Sequence, residues 1–146
     1  MNPQRSVNMP QSVVAVFSRF PADIREKLLL LRQLILQVAA KDPVIGRLEE
    51  TLKWGEPAYL TADTGAGTTI RLSWTAKTPG KYRVMVNCQT TLVDSYRVLF
   101  PELEFEGNRA LVLDVNRDVD HSALALCIEM ALTYHAAKKR DKRSRR

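Results

Sequence analysis

Residues 68–88 read TTIRLSWTAKTPGKYRVMVNC, and this stretch decides the fold class. Ile70, Leu72 and Trp74 alternate with Thr69, Arg71, Ser73 and Thr75, the two-residue period of a strand with one face buried. Thr78, Pro79, Gly80 and Lys81 follow with Pro and Gly placed as hairpin turns use them. Beyond the turn, Tyr82, Val84, Val86 and Cys88 share one face, while Arg83, Met85 and Asn87 share the other. Arg71, Arg83 and Asn87 therefore lie on the sheet face opposite Ile70, Leu72, Val84 and Val86. If no helix covers that face, two guanidinium groups there suit an anion or an acidic partner.

Upstream the period changes from two to helical. Val13, Val16, Phe17 and Phe20 recur at helical spacing over residues 11–20, and Pro21 ends that helix because it cannot donate to the ladder. Ile24, Leu28, Leu31, Ile35 and Val38 form one apolar stripe on a second helix, widened by Leu30 and Leu34, with Asp23 at its start. Asp42-Pro43 breaks the pattern. The spacing then predicts a third helix with Val44, Ile45, Leu48 and Leu52 inward and Arg47, Glu49, Glu50 and Lys53 outward. Gly55 and Pro57 stop it. A short strand is expected over 59–61 and a Gly-rich connection over 62–67. Gly65-Ala66-Gly67 there reads as a plain turn, not a phosphate cradle.

Downstream, residues 90–100 read as irregular or as one set of helical turns, ended by Pro101. A short strand over 103–106 turns at Glu106-Gly107-Asn108-Arg109 into a stronger one over 110–115. A last helix starts near Asp120, whose carboxylate can cap it, and runs to about Ala137. Leu124, Cys127, Ile128, Ala131, Leu132 and Tyr134 make it apolar around most of its circumference. Helices first, a β meander next and a helix last imply an α+β fold. It is a mainly antiparallel sheet of about five strands, packed against N-terminal helices and a buried C-terminal helix. Residues 1–10 are expected to be flexible, 11–137 to form one domain and 138–146 to be a disordered basic tail. Leu28, Leu31 and Ile35 are expected to cover the free side of the last helix, which makes the protein a monomer.

The chain has 146 residues and a net charge of +6, with 45% hydrophobic residues, enough for one core. The charge is not spread evenly. Residues 138–146, KKRDKRSRR, hold seven of the 22 basic and one of the 16 acidic residues, so residues 1–137 hold fifteen of each and are neutral. The basic pI thus reflects the tail, which implies at most weak, non-specific and salt-dependent nucleic-acid association. No apolar run is long enough to cross a membrane, and residues 1–11 lack the features of a secretory signal, so a cytoplasmic protein is expected. Cys88 and Cys127 lack any CxxC partner and read as two buried thiols, with neither a disulfide nor a zinc site.

Catalytic patterns are lacking: no GxSxG, no GKS or GKT phosphate loop, no HExxH and no GxGxxG. His121 and His135, fourteen residues apart on one expected helix, stand about 21 Å apart and cannot share a metal. Glu102, Glu104 and Glu106 alternate, which puts three carboxylates on one side of a strand. Such a row suits either a solvated edge that discourages aggregation or weak, exchangeable binding of iron by hard oxygen ligands. The expectation is a non-enzymatic binding domain without a resident cofactor.

The helix over 28–35, the run Glu49-Glu50-Thr51-Leu52-Lys53-Trp54-Gly55-Glu56-Pro57-Ala58-Tyr59 and the alternating strands after it resemble the YdhG-like family, small bacterial domains of unknown function. The resemblance covers roughly residues 12–137, and its most specific part is the Lys-Trp-Gly-x-Pro-x-Tyr core. It implies an α+β domain with no established enzymatic activity. Some members are described as frataxin-like iron chaperones, for which Glu102, Glu104 and Glu106 would be the metal ligands here. Within the shared segment, Trp54, Pro57 and Tyr59 are expected to form an aromatic wall where the third helix meets the sheet, either a packing plug that fixes the turn or the rim of a small-molecule or peptide pocket. Trp54, Glu56, Tyr59 and Arg71 are the expected binding residues for a small molecule or protein partner. The aromatics would supply contact area, and Glu56 and Arg71 would orient a polar group.

Overall fold

The computed structural model describes residues 9–144 of the chain. Of the stretch expected to be flexible, only Met9 and Pro10 are described; residues 1–8, and Arg145 and Arg146 of the tail, lie outside. Helices α1 (Gln11–Arg19) and α2 (Ala22–Lys41) meet at Pro21, as the proline predicts. Arg25 of α2 reaches back to the end of α1, its Nε donating to the Phe17 carbonyl at 3.0 Å and its Nη2 to that of Phe20 at 2.9 Å. Carbonyls that α1 leaves without helical partners are thereby satisfied.

The third helix does not form. Asp42 closes a turn instead, its carbonyl accepting from Ile45 N and its side chain from Val44 N. Residues beyond it enter strand β1 (Glu49–Lys53), which pairs antiparallel with β2 (Glu56–Leu60). Lys53 lies opposite Glu56, leaving Trp54 and Gly55 as a two-residue loop with φ of 55° and 75°. Two successive positive φ values are those of a type I′ turn, whose twist matches the flanking strands. Pro57 is tolerated inside β2 because pairing with the next strand is confined to Ala58 and Tyr59.

Strands β3 (Ile70–Ser73) and β4 (Lys81–Met85) form the hairpin read from residues 68–88. Helix α3 (Leu92–Leu99) is the helical one of the two alternatives expected over 90–100. Strands β5 (Glu104–Glu106) and β6 (Ala110–Asp114) complete the sheet. Among the described residues six strands, one more than expected, form one antiparallel sheet in the order β1-β2-β3-β4-β6-β5. The additional strand is β1.

Helix α4 (His121–Leu132) is capped by Asp120, whose carboxylate accepts from Ser122 N at 2.9 Å. It stops at Thr133, short of the expected Ala137, where a φ of −118° and ψ of 9° depart from helical geometry. Helix α5 (Tyr134–Ser144) follows, so the basic stretch expected to be disordered is helical as far as Ser144. The chain is therefore α+β, with the helices layered on one face of the sheet.

Tyr59, Ile70, Leu72, Tyr82, Val84, Leu111 and Leu113 point into that layer and meet Val13, Phe17, Ile24, Leu28, Leu31 and Ile35 of α1 and α2. Each fully buried aliphatic side chain there stabilises the fold by about 1.5–3 kcal/mol. Helix α2 packs on α4, the pairing expected from Leu28, Leu31 and Ile35. Cys127 is buried, but Cys88 is exposed, since β4 ends at Met85 and the alternation does not reach it. No helix among the described residues is long and apolar enough to cross a membrane.

Candidate functional site

The segment that failed to become a helix lines a groove. Glu50 lies at the second position of β1, opposite Tyr59 of β2, and both point to the helix side of the sheet. Arg32 of α2 is only 3% exposed. Its Nε and Nη2 donate to the two Glu50 oxygens at 2.5 and 2.8 Å, a bidentate fork, and the Tyr59 hydroxyl donates to Glu50 Oε2 at 2.7 Å. Burial, with the Glu50 carboxylate next, pushes the Tyr59 phenol far above the ordinary tyrosine range. The hydrogen bond to Glu50 raises the Arg32 guanidinium above its usual value, against the opposing effect of burial. The cluster is a fixed ion pair with a neutral phenol. Removing one member of such a buried pair strands the other charge, at a cost of about 3–5 kcal/mol.

Above this cluster lies a groove of about 1020 Å³ between α2 and the segment leading into β1. Leu29, Leu36, Ala39, Pro43 and Leu48 give it apolar walls, and Arg32, Gln33, Gln37, Asp42, Arg47 and Glu50 supply its polar lining. Leu36 is half-buried and faces the groove, not the core. Among the described residues Arg32 Nη1 has no partner, yet it is not sealed from solvent, so its charged N–H groups remain for a guest.

The residues expected to bind a ligand do not share one surface. Trp54 stands at the tip of the β1–β2 turn, 90% exposed. Tyr59 is fully buried on the opposite, core side, so no aromatic wall forms. Glu56 and Arg71 do meet, in an ion pair on the sheet face away from the helices. Of the four, Tyr59 alone reaches the groove, through Glu50.

Glu104 and Glu106 lie on that outer face too, Glu104 accepting from Lys81 at 2.9 Å and Glu106 from Arg83 at 3.2 Å. Glu102 precedes β5, outside the strand that would have aligned it. Among the described residues no three His, Cys, Asp or Glu side chains converge as a metal site. Arg71 and Arg83 lie away from the core, as the alternation predicts. Each is engaged by a glutamate, and among the described residues Arg83 Nε is buried without a partner.

Family models, curated proteins and solved structures were compared with the chain, and none matches. Sequence reasoning missed Arg32 and Glu50 as a pair. The available signal was Arg32 itself, a charge within the apolar stripe between Leu28 and Ile35, which needs a buried counter-ion.

Proposed function

We propose that this is a non-enzymatic binding domain whose ligand is a small amphipathic molecule held in the groove between α2 and residues 42–50. The observation that carries the reading is the unpartnered Nη1 of the buried Arg32, in a cleft whose lining is mostly apolar. Such a cleft, with one preorganised charged donor, is how small-molecule sites combine affinity with orientation. Leu29, Leu36 and Leu48 would cover the apolar body, and Arg32 would take a carboxylate, sulfonate or carbonyl oxygen. Binding is favoured over catalysis because the Glu50 oxygens are occupied by Arg32 and Tyr59, and the Tyr59 phenol keeps its proton far above neutral pH.

Anilinonaphthalene sulfonate, an apolar ring system with one anionic group, is a direct probe. The folded protein should bind one equivalent with enhanced fluorescence. Leu36→Glu should abolish binding without lowering the melting temperature, because Leu36 lies outside the core. Equal binding by wild type and Leu36→Glu, or none to the folded wild type at millimolar probe, rejects the groove.

A further inference from the structure

Helix α5 carries Lys138, Lys139, Arg140, Lys142 and Arg143, and none of its residues is buried. Its first turn is nevertheless fastened to the domain. His135 N and Ala136 N both donate to the Ala66 carbonyl, at 2.8 and 2.9 Å. Thr91 N donates to the Tyr134 hydroxyl at 3.1 Å, and the Lys138 ammonium lies 4.8 Å from the Tyr134 ring centroid. The basic residues beyond this anchor are therefore presented on a helix of defined direction.

At 3.6 residues per turn, the five basic side chains cover an arc of roughly 200°, and Asp141 occupies the remainder. Lys138 and Lys142, and Lys139 and Arg143, are like charges four residues apart, an arrangement that opposes helix formation in isolation. Apart from Lys138 over the Tyr134 ring, the fold gains no packing from these residues. A polyanion laid along the arc would relieve the repulsion.

We propose that α5 docks on the phosphate backbone of duplex DNA. Its only apolar side chains are Tyr134, Ala136 and Ala137, all in the first turn, so it lacks the apolar face that holds an interfacial helix in a membrane. A helix about 10–12 Å across fits a B-form major groove about 12 Å wide, with basic side chains reaching phosphates on both rims. The A-form groove of duplex RNA is too narrow to admit it. Contacts to phosphates carry no base information, so binding is independent of sequence. Residues 1–137 carry equal numbers of acidic and basic groups, which leaves α5 and the residues after it as the source of attraction.

Fluorescence anisotropy of a labelled random-sequence DNA duplex with the full chain tests this. Five phosphate contacts predict a slope of log affinity against log salt near −4.5, an affinity loss of about 500-fold between roughly 50 and 200 mM salt. Replacing Lys138, Lys139, Arg140, Lys142 and Arg143 together by Gln should remove binding and leave the melting temperature unchanged. Ala137→Pro keeps every charge but breaks the ladder from Ala137 N to the Thr133 carbonyl, and should weaken binding several-fold. Any of four results overturns the proposal: a slope shallower than about −2, full retention by the glutamine variant, unchanged affinity in Ala137→Pro, or tighter binding to duplex RNA or phosphatidylserine vesicles than to DNA.

Discussion

Trp54 occupies a position that works against its own chemistry. Type I′ turns favour Asn, Asp or Gly at the first loop residue because a Cβ crowds the backbone when φ is positive. Trp54 sits there at φ 55° with its indole 90% exposed, so it gains almost no burial in return. The left-handed conformation costs an L-residue about 1–2 kcal/mol, and much less for Asn. Trp54→Asn should therefore stabilise the protein by about 1 kcal/mol, read as a higher urea midpoint at unchanged slope. An unchanged or lower midpoint would mean that the indole packs in solution on a surface the hairpin tip does not touch here. The turn was visible in the sequence as Gly55, but its length was not. Two residues suffice only when strands flank both sides, and the spacing upstream of Trp54 predicts a helix.

That misreading has an identifiable cause at the scale of elements. Val44, Ile45, Leu48 and Leu52 fit a helical stripe, whereas a strand over 49–53 requires positions 50 and 52 to face inward together. Position 50 is a glutamate. Its inward orientation makes sense only beside Arg32, eighteen residues away on another helix, and local periodicity does not contain that partner. The hairpin over 68–88 was legible because its inward residues are apolar without exception. A second non-local relation governs residues 61–68. Thr68 N donates to the Ala131 carbonyl at 2.9 Å, which draws this loop onto the α4–α5 junction. A Cβ on Gly67 would stand 2.3 Å from the Leu132 carbonyl carbon and oxygen, so Gly67 is required by close approach, not by backbone conformation. Gly67→Ala must separate the loop from α4 and cost about 2–3 kcal/mol or more, within the range for overpacking. Gly65→Ala faces open space and should cost only the strain of φ 66°. Urea unfolding of the two variants decides between them, and equal small losses would place the loop away from α4.

The whole molecule responds to pH through groups spread across its core. Burial raises the phenols of Tyr59, Tyr82 and Tyr96 above the ordinary tyrosine value and pushes the Cys127 thiol up to about 12. The fourth tyrosine differs. Burial acts upward on Tyr134 too, but its hydrogen bonds to Lys138 and Thr91 outweigh that effect and hold it below the usual value. Each raised group keeps its proton in the folded chain after the unfolded chain has lost it, so stability is complete below the unfolded pKa and falls as pH rises toward the folded one. The decline should begin near pH 8.5 with Cys127 and steepen above about 10, where each buried tyrosine removes up to about 1.4 kcal/mol per pH unit. Urea midpoints should accordingly be flat around neutrality and drop steeply in alkali. In a spectrophotometric titration, one of the four phenols should ionise while the circular dichroism is still native, and the other three only with cooperative unfolding. Smooth ionisation of all four in a chain that stays folded would show that Tyr59, Tyr82 and Tyr96 reach solvent and that the core described here is not closed.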